Sequence, residues 1–155
     1  MFVKRSNKRV SFLAVIVLLW TAIPGLAQAP QTYKAQLRIV PISGVQGRAA
    51  IDESATVFAA ATATGTLTGT KFAVTGTFEG FKSPASIAQI RTGPAMGVRG
   101  PVLFDLTINR AIKGTFSGTF DLTPAQIDLL KNKRLYIQIH NDNTPEGALW
   151  GWFLN

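Results

Sequence analysis

The chain carries one histidine and no cysteine, so metal and nucleophilic chemistry have few residues to work with. His140 ends the run Arg134-Leu-Tyr-Ile-Gln-Ile-His140, and Asp142 follows two positions later. A histidine oriented by a carboxylate could activate a serine for acyl transfer. None of the scattered serines is marked for that role, because no Gly-x-Ser-x-Gly elbow occurs. Asp105, Asp121 and Asp128 could include a carboxylate pair, but nothing in the sequence converges them on a cleft. The glycines between Thr92 and Gly100 precede neither Gly-Lys-Ser/Thr nor a helix, so they are not a phosphate cradle. A copper or zinc centre needs about three or four good donors. His140 is a weak metal candidate by itself. No catalytic residue, cofactor site or metal set is assigned, and the protein is expected to be non-enzymatic.

The elements around His140 read as strands. Arg134 to His140 and Ala148 to Phe153 are rich in β-branched and aromatic residues, and the polar stretch 141 to 147 between them reads as a loop. Alternation puts Leu135, Ile137 and Ile139 on one face and Tyr136, Gln138 and His140 on a second, more polar face. In the closing strand Trp150, Trp152 and Leu154 share one face, with Leu149, Gly151 and Phe153 on the other. If one face is core, the other presents two tryptophans either to a partner or to a covering element, the helix at Pro124 to Lys131 or the N-terminal strand. Trp150 and Trp152 are therefore the candidate binding surface.

Upstream, Tyr33 to Ile42 alternates as a strand, with Tyr33, Ala35, Leu37 and Ile39 opposite Lys34, Gln36 and Arg38. Residues 43–54 read as a loop. Thr56 to Thr68 and Lys71 to Phe81 form a hairpin through Gly69-Thr70. Strands follow at Ala85 to Arg91, Pro101 to Ile108 and Lys113 to Leu122. Thr123-Pro124-Ala-Gln126 is a capping box with proline at the first helical position, opening a helix of about two turns with Ile127 and Leu130 inward. Gly-Thr-apolar-x-Gly recurs at Gly65, Gly76 and Gly114, but its spacing is too irregular for a solenoid and suits strands that bend. Short strands with one short helix imply a mainly β sandwich or barrel of Greek-key type.

The N-terminus shows how the domain is delivered. Lys4, Arg5, Lys8 and Arg9 precede an apolar run from Phe12 to Trp20 and the small-residue stretch Ala27-Gln-Ala29. This is the pattern of a secretory signal peptide over residues 1–27, with cleavage alternatively after Ala29. The apolar core falls short of the ~20 residues of a spanning helix, so no retained membrane span is expected. Loss of those four basic residues leaves 12 basic against eight acidic, a net charge of +4 instead of +8. The remaining Lys and Arg are scattered, which argues against nucleic acid as partner. Without cysteine no disulfide can form, so the single domain at 31–155 depends on its core and its sheet.

Several segments together resemble the CHRD domain, a chordin-type module of exported bacterial proteins. They are Ser83-Pro84-Ala85, Ala88-Gln-Ile-Arg91, Gly93-Pro94-Ala95, Gly100-Pro-Val-Leu-Phe-Asp-Leu106, Gly114-Thr-Phe-Ser-Gly118, Leu122-Thr-Pro-Ala-Gln126, Leu135-Tyr-Ile-Gln-Ile-His140 and Pro145-Glu-Gly147. The resemblance implies an immunoglobulin-like Greek-key β fold distantly similar to copper/zinc superoxide dismutase, with no settled activity. Where the family reads Ala-His-Ile-His-Gly-Pro, this chain has Ala88-Gln89-Ile90-Arg91-Thr92-Gly93-Pro94, and Gly147-Ala-Leu-Trp-Gly151 replaces Gly-Glu-Ile-Arg-Gly. Glutamine is a poor ligand and arginine only donates.

The resemblance also places Gln89 and Arg91, which share a strand face, near His140 and Trp150. A metal-free polar cluster of Gln89, Arg91, Gln138 and His140 is expected, with Arg91 over the Trp150 ring or bonded to Gln138 or Asp142. The reading is an exported accessory module with a protein or other extracytoplasmic partner, its oligomeric state open. Copper or zinc binding with superoxide-dismutase-like activity is one alternative, and a structural or adhesive envelope component is another.

Overall fold

The computed structural model describes residues 29–40 and 59–155. The signal peptide expected at 1–27, the loop expected at 43–54 and the start of the strand expected from Thr56 lie outside the described residues.

The described residues form eight strands: β1 (Gln31–Ile39), β2 (Ala60–Thr68), β3 (Lys71–Glu79), β4 (Ala85–Thr92), β5 (Val102–Ile108), β6 (Gly114–Asp121), β7 (Leu135–Asn141) and β8 (Thr144–Trp152). One helix, α1 (Pro124–Lys131), lies between β6 and β7. All neighbouring strands pair antiparallel and close into a barrel in the order β1-β2-β3-β6-β5-β4-β7-β8. The fold is mainly β with one short helix, as expected. Among the described residues no helix is long and apolar enough to cross a membrane.

Period-two alternation sends the apolar set inward. Tyr33, Ala35 and Leu37 of β1, Phe72 and Val74 of β3, and Leu135, Ile137 and Ile139 of β7 are all buried in one core. The alternation of β1 breaks at its end, where Ile39 is exposed and Val40 buried, opposite to the expected placement of Ile39. Val40 N–H still donates to the Ala148 carbonyl, so the chain turns its next side chain inward there. Aromatic rings bridge strands through the core: Phe72 meets Tyr33 and Phe153 edge-on, at centroid distances of 6.3 and 5.2 Å. The glycines of the Gly-Thr pattern leave room for such rings. A methyl on Gly76 would strike the Phe116 ring and the Thr62 carbonyl, and one on Gly65 would strike Phe72.

The wall is unevenly laced. β2 pairs with β3 along its whole length, from Ala60 opposite Glu79 to Thr68 opposite Lys71. β5 meets β6 only at Thr107–Ser117 and Ile108–Phe116. β1 meets β8 at Arg38–Trp150 and Ile39–Leu149, plus a bridge from Lys34 to Leu154. Two short seams thus join two well-paired half-walls, one built on β1-β2-β3-β6 and the other on β5-β4-β7-β8.

The capping box forms as expected: Gln126 N–H donates to Thr123 Oγ1 at 3.3 Å, and Thr123 N–H donates to Gln126 Oε1 at 2.9 Å. Leu130 is fully buried, and Ile127 and Leu129 pack against the same core.

The expected loop at 141–147 is corrected to a tight turn, because β8 already begins at Thr144. Asn141, itself buried, accepts at Oδ1 from the Asn143 and Thr144 amides (3.1 and 2.7 Å) and from the Thr144 hydroxyl (2.6 Å). One side chain thereby closes the hairpin.

Candidate functional site

The outward face of the half-wall β5-β4-β7-β8 and the adjoining β1 carries the residues singled out above. Register arranges them in rows. Asp105, Gln89, Gln138, Trp150 and Arg38 lie across one row, and Val102, Arg91, Tyr136 and Trp152 across the next.

The polar cluster is joined through Gln89. Arg91 Nη1 donates to Gln89 Oε1 at 3.1 Å, and Gln89 Nε2 donates to Asp105 Oδ1 at 2.8 Å. The amide carries the link from guanidinium to carboxylate in a fixed order. Arg91 Nε donates to the Gly100 carbonyl at 3.0 Å. Arg91, expected over the Trp150 ring or bonded to Gln138 or Asp142, is thus held by Gln89 and Gly100. Asp142 instead accepts from Arg110 at 3.1 Å.

Gly100 closes a loop, residues 93–101, that folds over β7. Its neck is held by the Thr92 amide on the Pro101 carbonyl (3.0 Å) and the Gly93 amide on the Arg134 carbonyl (2.8 Å). Arg134 Nε returns to the Gly93 carbonyl at 2.8 Å. The loop lies over Tyr136. Tyr136, Gln138 and His140, on the face of β7 expected to be polar and open, are all buried, so every side chain of β7 is out of solvent. Gln138 lies against Gly147, whose φ of +105° admits no side chain without strain. His140 pairs in register with Ile87 across a bulge in β4. Among the described residues no three His, Cys, Asp or Glu side chains gather as a metal site.

Tyr136 and the two tryptophans make an aromatic corner. Tyr136 stacks on Trp152 (4.8 Å, 25°), and Trp150 stands edge-on to Trp152 (4.6 Å, 69°) and to Tyr136 (6.0 Å, 89°). Tyr136 lies against the tryptophan face, and the N-terminal strand, one of the two covering elements expected, flanks it as β1. Trp152 is 8% exposed and its indole N–H meets no acceptor among the described residues, whereas Trp150 is half-buried. An open groove of about 540 Å³ runs past this corner, lined by Lys34, Gln36 and Arg38 of β1, Met96 of the loop, and Trp150, Gly151, Trp152 and Leu154 of the C-terminal segment.

Residues 41–152 match the family model of the CHRD domain. The chain belongs to the CHRD domain family. No curated protein and no solved structure matches it. In this CHRD domain the motif positions Gln89 and Arg91 secure a loop, and the closing-motif position Trp150 faces the groove. The structure brings Gln89 and Arg91 into direct contact and sets Trp150 against Trp152, while His140 sits farther along β7 beside Ile87.

Sequence reasoning missed Lys34, Gln36, Arg38 and Met96 as companions of the tryptophans. The outward alternation of β1 was legible. That β1 lies beside β8 was not, because that neighbourhood arises from barrel closure between the two ends of the described chain.

Proposed function

We propose that this CHRD domain is an exported, non-enzymatic binding module whose working surface is the groove between β1 and β8. The single observation behind this is the pairing of an aromatic corner, Tyr136, Trp150 and Trp152, with the outward cations Lys34 and Arg38 around one open groove. Ring faces beside charged and amide side chains suit capture of a ligand better than bond making, since no nucleophile, base and orienting group converge there. Export is supported by the basic, apolar and Ala27-x-Ala29 pattern of the N-terminus. The Greek-key, superoxide-dismutase-like class is supported by the run β3-β6-β5-β4, in which β3 lies beside β6 yet is followed in sequence by β4.

The test is retention. Protein recovered from outside the cytoplasmic membrane should begin just after residue 27 or 29 and co-sediment with the producing cell's envelope or extracellular matrix. A Trp150→Ser variant that still unfolds in one cooperative transition should lose that retention. Equal retention of the variant would remove the groove from the function.

A further inference from the structure

The two banks of the groove differ in kind. One is the corner made by Trp150 and Trp152, and the other is β1, which presents Lys34, Gln36 and Arg38 outward at every second position. Neither Lys34 nor Arg38 forms an ion pair among the described residues, where the paired groups are Lys71 with Asp121 and Arg110 with Asp142. The two cations start about 13 Å apart along an extended strand. A ligand that meets both with extended side chains therefore carries more than one acid group. Between them Gln36, opposite Trp152 in register, offers an amide donor and acceptor.

We propose that the groove binds an acidic saccharide, an oligosaccharide bearing uronic acids; this rests on reading the groove as the working surface. The C–H face of a pyranose packs against Trp150, its hydroxyls exchange hydrogen bonds with Gln36, and carboxylates on separate sugar units meet Lys34 and Arg38. An acidic peptide fits less well. Closure of the barrel pairs β8 with β1 on one side and β7 on the other, so an extended peptide finds no free strand edge to join. A single-stranded nucleic acid stacks successive bases on separate open rings. Here Tyr136 and Trp152 stack on each other, leaving Trp150 as the half-exposed ring.

The experiment titrates the protein with oligogalacturonate and, in parallel, with its fully methyl-esterified form, oligoglutamate and oligo-dT, following tryptophan fluorescence and heat. Lys34→Gln with Arg38→Gln alters only exposed side chains, and an unchanged unfolding transition establishes that the variant folds. The expected result is a fluorescence change with oligogalacturonate that weakens with salt, and an affinity about tenfold lower or worse for the double variant and for the ester. Absence of binding, undiminished affinity in the double variant, or tighter binding of oligoglutamate or oligo-dT each overturns the proposal. Equal binding of acid and ester, both lost in Trp150→Ala, overturns the acidic class while leaving the groove as a binding surface. Binding untouched by Trp150→Ala overturns both readings.

Discussion

Gly100 donates its backbone N–H to the Tyr136 hydroxyl at 3.2 Å, tying the loop at 93–101 to a strand 36 residues away in sequence. The same glycine accepts from Arg91 through its carbonyl, so both its polar groups are held by side chains of the wall beneath. The loop that forms one lip of the groove is fastened at its base.

Tyr136→Phe removes the acceptor for Gly100 and keeps the ring. It should lower stability by about 0.5–1.5 kcal/mol and speed amide exchange at residues 93–101 with little change in the core strands. Denaturant unfolding and hydrogen exchange read the two effects separately.

The two tryptophans should separate by burial. Trp152→Ala empties a nearly enclosed site stacked on Tyr136 and should cost about 3–5 kcal/mol. Trp150→Ala, at a half-buried position, should cost clearly less. Thermal unfolding of both variants checks the order, and equal losses would mean that Trp150 serves the core as much as Trp152 does.

Asn141→Ala deletes the one oxygen that accepts from two amides and a hydroxyl. With the donors at 143 and 144 left unpaired, a loss of about 2–3 kcal/mol is expected. Denaturation midpoints measure it, and exchange at Thr144 should rise first.

Gly76→Ala forces a methyl against the Phe116 ring and a backbone carbonyl, with an expected loss of about 1–3 kcal/mol. Phe116→Leu in the Gly76→Ala background should recover part of that loss. A double-mutant cycle with no coupling would show that the carbonyl, not the ring, is the obstacle.

Alkali should weaken the fold through Tyr33. Its hydroxyl donates to Gln31 at 2.9 Å, and burial pushes its pKa above the ordinary value of 10.0. The unfolded chain ionises first, so the contribution is intact below pH ~10 and is lost as pH rises through the raised folded value. Tyr33→Phe should flatten the fall of stability above pH 10 in denaturant titrations, and an unchanged slope would assign the fall elsewhere.

What could be read from the residues was whatever depends on near neighbours. The capping box at Thr123 and Gln126, the Gly69-Thr70 turn and the alternation of β1 are written within a few positions of sequence, and each appears as expected apart from the inversion at Ile39. The polar face of β7 misled because alternation tells which side chains share a face and not what lies over it. Tyr136 is covered by a loop and by tryptophan rings from elsewhere in the chain, and Gln138 and His140 are buried on the same face. The turn after β7 was read too long because Pro145 and Gly147 look like loop residues, while Asn141 finishes the turn by itself. Arg91 was matched with Trp150, Gln138 or Asp142, whereas the bond it makes to the Gly100 carbonyl depends on how the loop at 93–101 folds back on the assembled wall.

The β1/β8 seam gives the groove a mechanical meaning. Lys34, Gln36 and Arg38 stand on one side of this sparsely laced junction, and Trp150 and Trp152 on the other. A ligand gripping both banks would act as a clasp across one of the two sparse seams of the wall. Its occupancy would register as slower opening of the Arg38 and Leu149 amides, at atoms that the ligand never touches.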